Sequence, residues 1–133
     1  MFFDFSLTIP HNTTYAQPVS LLCPVSPGVV DRLMLIFPTG CAGLAHVRIY
    51  RASHQVWPTN LDGSFASDGE FLDFTENYVL DNEPYAFVLS GWNEDDAYDH
   101  TVIVRFNIVA LPKDKASSLT DAVRNMLGMT VGR

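Results

Sequence analysis

The stretch Asn93-Glu94-Asp95-Asp96-Ala97-Tyr98-Asp99-His100 holds the densest set of side chains able to do chemistry. Calcium binds several oxygens at once, from carboxylates, amides and backbone carbonyls. Asp95, Asp96 and Asp99 are therefore candidate calcium ligands, with Asn93 and Glu94 beside them. The spacing is not that of an EF-hand, and the glycine that turns such a loop is absent. A solvated loop between two strands accounts for the same residues.

Covalent and acid–base chemistry find less support. The chain has no GxSxG, HExxH or GxGxxG motif and no phosphate loop. His11, His46, His54 and His100 fall on separate elements, so a histidine metal cluster is not expected. Cys41 and His46 are close enough in sequence to suggest a thiolate pair, but a buried thiol in a glycine turn is the better reading of Cys41. No two of the many carboxylates stand out as an acid–base pair. The expectation is a protein that is not an enzyme, without a cofactor unless calcium is one.

Aromatic residues offer a different kind of site. Trp57 and Tyr98 are candidate ligand-binding residues, with Trp92, Tyr50 and Tyr78 as further members of a platform, because flat rings stack on the apolar faces of sugars. The competing reading places both tryptophans within strands, packed into the core.

The elements that would carry these residues are strands. Val102, Val104, Phe106 and Ile108 alternate with Thr101, Ile103, Arg105 and Asn107, the period of two that gives one apolar face. Tyr85–Trp92 is apolar on both faces, as an interior strand would be. These two read as neighbours joined by the acidic loop. Upstream, Phe3–Ile9, Val19–Cys23 (an edge strand between prolines), Val29–Phe37, Leu44–Arg51, Gln55–Trp57 and Phe71–Thr75 continue the pattern, with Ser64–Phe65 as a short addition. His46, Arg48 and Tyr50 fall on the outer face of their strand, opposite Val47 and Ile49. The spacing predicts an all-β fold, an antiparallel jelly-roll-like β-sandwich of about eight strands over residues 1–111. Residues 112–133 form a polar linker and a short C-terminal helix, with Leu119, Val123, Met126 and Leu127 at helical spacing.

Charge and composition narrow the partners. The net charge is −7, and the cations are scattered, so the basic stripe that nucleic acid requires is missing. No apolar run is long enough to cross a bilayer, and Met1-Phe2-Phe3-Asp4 does not resemble a signal peptide. Synthesis in the cytosol is the expectation, with no membrane partner. Between Ala52 and Val104 there is no Lys or Arg but there are many Asp and Glu, so one part of the domain is strongly negative. Cys23 and Cys41 sit in apolar contexts without metal-ligand spacing, as small buried hydrophobes do, and a bond between them is neither required nor excluded. Phe3 and Phe5 in the first strand, and Leu119, Val123 and Leu127 in the tail, are the expected interface residues.

The phrases Phe37-Pro38-Thr39-Gly40-Cys41-Ala42-Gly43-Leu44-Ala45-His46-Val47-Arg48-Ile49, Trp57-Pro58-Thr59-Asn60 and Gly91 to Val102 resemble stretches in small β-sandwich virion proteins of prokaryotic viruses, of the capsid decoration or cement type. That resemblance implies a structural role in a virion made in the host cytoplasm. It implies a homo-oligomer, by symmetry a trimer or pentamer, and contact with other particle proteins such as a major capsid protein. It brings no catalytic residues with it. The alternative is a carbohydrate- or calcium-dependent binding module of jelly-roll type.

Overall fold

The computed structural model describes residues 1–112. Every regular element in this range is a strand: β1 (Phe2–Ile9), β2 (Val19–Pro24), β3 (Gly28–Phe37), β4 (Ala45–Arg51), β5 (His54–Trp57), β6 (Glu70–Leu80), β7 (Ala86–Asn93) and β8 (His100–Val109). All pairings are antiparallel, in two four-stranded sheets ordered β1-β8-β3-β6 and β2-β7-β4-β5. The expected C-terminal helix, with Leu119, Val123 and Leu127, lies outside the described residues.

Alternation in sequence becomes burial in space. Val102, Val104, Phe106 and Ile108 of β8 are buried, as are Leu33, Leu35 and Phe37 of β3. They meet Val47 and Ile49 of β4 and Phe87 and Leu89 of β7 in one core between the sheets. Phe87 and Phe106, from opposite sheets, stack at 4.7 Å and 13°. Gly91 sits at a close approach: a Cβ there would lie 2.7 Å from Ile9 Cδ1 and 3.0 Å from Leu7 Cδ2. Cys23 and Cys41 are free, buried thiols.

Three expectations change. β7 and β8 are consecutive but belong to different sheets, so the acidic loop is a crossover and not a hairpin turn. Each long strand found better partners on both sides, β2 and β4 for β7, β1 and β3 for β8. β6 runs for eleven residues instead of stopping at Thr75, because β3 offers a template as far as Gly28. Phe65 makes only an isolated bridge to Val47.

The pairing is nested: β1 with β8, β2 with β7, β3 with β6 and β4 with β5. Antiparallel alternation then gathers four connections at one end: β1–β2 (residues 10–18), β3–β4 (38–44), β5–β6 (58–69) and β7–β8 (94–99). Backbone hydrogen bonds tie them together. Asn12 N–H donates to Asp95 O at 2.8 Å, Asn93 N–H to Thr13 O at 3.0 Å, and Glu94 N–H to Leu44 O at 2.9 Å. Gly43 N–H donates to Ser67 O at 3.3 Å, and Gly40 N–H to the Asp68 carboxylate at 2.8 Å.

Candidate functional site

The chemistry-bearing residues collect at this tied end. Asn93, the last residue of β7, is fully buried and anchors the acidic loop. Its amide donates to Ile9 O at 3.1 Å and Tyr98 O at 3.0 Å, and its Oδ1 accepts from Asp95 N–H at 3.0 Å. Both oxygens of Asp95 are engaged: Oδ1 accepts from Ala97 N–H (2.9 Å) and Tyr98 N–H (3.2 Å), and Oδ2 faces His100 Nε2 at 2.8 Å. These donors, Ala97 N–H first and then His100, hold the Asp95 carboxyl below the usual range. Asp99 is lowered likewise, by the backbone N–H of His11 and then its ring, each bonded to Oδ1 (2.9 and 2.7 Å).

A third histidine joins them. His46 Nε2 stands 3.3 Å from Glu94 Oε1, without the geometry of a hydrogen bond, while Nδ1 pairs with Ser64 Oγ at 2.9 Å. His11, His46 and His100 thus come from three elements to three acids of one loop, an arrangement that their separation in sequence conceals.

Beside the loop, the outer face of β4 and β7 carries an aromatic stack. The His46 ring lies parallel to Trp92 at 4.9 Å, and Tyr15 meets Trp92 edge-on at 5.0 Å. The Arg48 guanidinium sits 5.0 Å from both the Tyr15 and Trp92 ring centres, where its charge meets two negative ring faces. Arg48 Nε donates to Gly63 O at 2.7 Å and an Nη to Tyr15 Oη at 3.2 Å. Arg48 and Trp92 are therefore buried on an outer face, roofed by Tyr15 and the β5–β6 connection. A cleft of about 420 Å³ opens between Asn12-Thr13-Thr14-Tyr15 and Trp92-Asn93-Glu94. Its walls combine hydroxyls, amides and a carboxylate with the exposed ring of Tyr15, groups suited to a hydroxyl-rich ligand.

The expected site residues separate. Asp95 is buried and saturated, whereas Asp96 and Asp99 are exposed. Among the described residues no three His, Cys, Asp or Glu side chains group as a metal ion needs. Trp57 is buried against Tyr78, Phe87 and Phe106, donating from Nε1 to Glu76 Oε2 at 2.8 Å. Tyr98 is exposed on the acidic loop, so the two do not form one platform. Phe3 and Phe5 turn inward and pack on the core, and it is Phe2 that is exposed. Cys41 is held as a thiol: burial raises its pKa, with Asp68 and Asp95 adding to the effect.

Arg48 and Tyr15 are the members that the sequence analysis missed. The outward alternation of His46, Arg48 and Tyr50 was the available signal for Arg48; Tyr15 lies in a connection without periodicity. No protein-family model matches the chain, and no curated protein matches it.

Proposed function

We propose that the protein is a structural, non-enzymatic component of a virion or comparable particle, working by self-association and docking. The observation that carries this reading is the nested strand pairing. Eight strands folded back around the β4–β5 turn, in the order β1-β8-β3-β6 over β2-β7-β4-β5, support reading the two sheets as a jelly roll, an architecture that viral capsid domains use. The outer face of the second sheet adds a row for association. Leu22, Val88 and Tyr50 are cross-strand neighbours there, and Leu22 is 62% exposed. A closed ring, a trimer or pentamer, uses such a face without leaving an open end. A major capsid protein is the expected further partner, and the virion the expected location.

Light scattering across a concentration series tests this. A stable oligomer is expected, and Leu22→Glu is expected to reduce it to a folded monomer. A monomeric parent protein at every concentration overturns self-association.

The cleft beside Tyr15 favours a second reading, a carbohydrate-binding module. Saturation-transfer NMR against a panel of glycans separates the two readings. Transfer that vanishes in Tyr15→Ala supports the module, and no transfer from any glycan counts against it.

A further inference from the structure

β6 is the longest strand described, and it lies at the edge of its sheet. β3 pairs with it from Glu70 to Leu80, and among the described residues no strand pairs with its second side. The other edge strands are protected in ways that β6 is not. Pro18 precedes β2 and Pro24 ends it, β5 has only four residues, and β1 touches β2. Prolines, short strands and covered edges keep unpaired backbone from recruiting another chain. β6 has eleven residues and no proline.

The inner side of this edge has room for side chains. The short β5 does not face β6 along its whole length, and cavities of about 240 and 390 Å³ open there. Trp57 and Glu76 line both. Phe65 and Phe74, with ring centres 5.6 Å apart, wall the first over the buried Leu33. Pockets for whole ligands begin at about 300 Å³, so this first cavity suits a single side chain.

Glu76 selects which one. Its Oε2 accepts from Trp57 Nε1 at 2.8 Å and its Oε1 from Asn77 N–H at 2.9 Å, which fixes the carboxylate. Each oxygen retains capacity for a further donor. Asp73, on the outer side of β6, is paired with Arg32, whereas among the described residues no Lys, Arg or His forms an ion pair with Glu76. Residues 54–80 carry Asp62, Asp68, Glu70, Asp73 and Glu76 and no Lys or Arg. A fixed carboxylate beside aromatic rings favours a guanidinium, which pairs with the one and stacks on the others.

We propose that β6 receives an extended, arginine-bearing segment of a partner protein as an added strand, with the arginine in the cavity at Glu76. Alternate side chains of such a strand point inward beside Leu72, Phe74 and Glu76, over the cavities, while its backbone bonds the open edge. A second copy of this chain fits the edge poorly. In two-fold antiparallel pairing centred on Asp73, that residue meets its own counterpart and Glu70 meets Glu76 of the other copy. Like charges directly opposite are destabilising. The acids thus repel a like edge and admit a basic one. The inference is independent of self-association through Leu22, which lies on the other sheet.

A blocked peptide alternating Val and Thr around one Arg, added to the full chain and followed by NMR, tests it. A saturable shift of the Trp57 indole N–H signal is expected, with the Trp92 indole unchanged. The β6 amides that face away from β3 are expected to exchange more slowly. Replacing the peptide's arginine by citrulline, its uncharged isostere, is expected to weaken binding about tenfold. In Glu76→Gln, with an amide spectrum that still reports the sandwich, the two peptides are expected to bind equally. Absence of saturation, or equal binding of the two peptides to the parent protein, overturns the proposal. So does an arginine preference that survives Glu76→Gln. Binding of N-acetylarginine methylamide as tight as that of the peptide overturns the added strand, because the β6 backbone then contributes nothing. Slow exchange of the same amides before any peptide is added overturns it too. The edge is then already covered, by a second copy if the protection grows with concentration and by the chain itself if it does not.

Discussion

Asp95 and His100 form a buried pair, Oδ2 to Nε2 at 2.8 Å, that fixes the crossover between the two sheets. An ionised carboxylate only accepts, so the Nε2 carries the proton. The same carboxylate caps the turn from below through Ala97 and Tyr98. Its pKa is lowered in the fold, first by the Ala97 N–H and then by His100.

A group lowered in this way stabilises the fold above its unfolded pKa, about 3.9 for Asp. That stability is lost as pH falls through the lower folded value. Asp99, lowered by His11, acts in the same direction. The melting temperature is therefore expected to fall steeply only below about pH 4. Asp95→Asn should start lower at neutral pH and show a shallower acid slope. Equal slopes in parent and variant would sink the argument.

Gly91→Ala places a methyl 2.7 Å from Ile9 Cδ1 and 3.1 Å from the His46 carbonyl oxygen. Overpacking of this kind costs about 1–3 kcal/mol. Ile9→Val removes the first clash, so the double variant should be less destabilised than the sum of the two singles. Denaturant titration of the four proteins measures the coupling, and strict additivity would contradict the close approach.

Arg48→Lys keeps the charge but loses the fork that reaches Gly63 O and Tyr15 Oη together and stacks between two rings. A loss of about 1–2 kcal/mol is expected, with a red shift in emission as the roof over Trp92 loosens. Unchanged emission would mean that Tyr15 holds its place without Arg48.

Burial pushes the Cys23 thiol up to about 11, and Cys41 is raised as well. Neither thiol should react with an aromatic disulfide reagent at pH 8 in the folded protein, and both should react at once in denaturant. Rapid reaction of the native protein would place one of them at the surface.

Calcium at millimolar concentration is expected to leave the melting temperature unchanged, because the Asp95 oxygens already accept hydrogen bonds and Asp96 and Asp99 do not join them. A calcium-dependent rise that Asp96→Asn removes would restore the loop as a metal site.

Periodicity alone determined most of the strands and their inner faces, though not the length of β6. Val102 to Ile108 and Leu33 to Phe37 had to turn their apolar side chains to one side, wherever their partners lay, because successive residues of a strand point to opposite faces. Pairing was another matter. β7 and β8 are adjacent in the chain yet belong to different sheets, because pairing with β2 and β4, and with β1 and β3, depends on contacts between residues far apart in sequence. The candidate site shows the same division. His46, Arg48 and Tyr50 were legible as one outer face, but the gathering of His11, His46 and His100 around Glu94, Asp95 and Asp99 was decided only when antiparallel alternation brought four connections to one end. Local pattern settles which way a side chain points; the long-range pairing of strands settles what it meets.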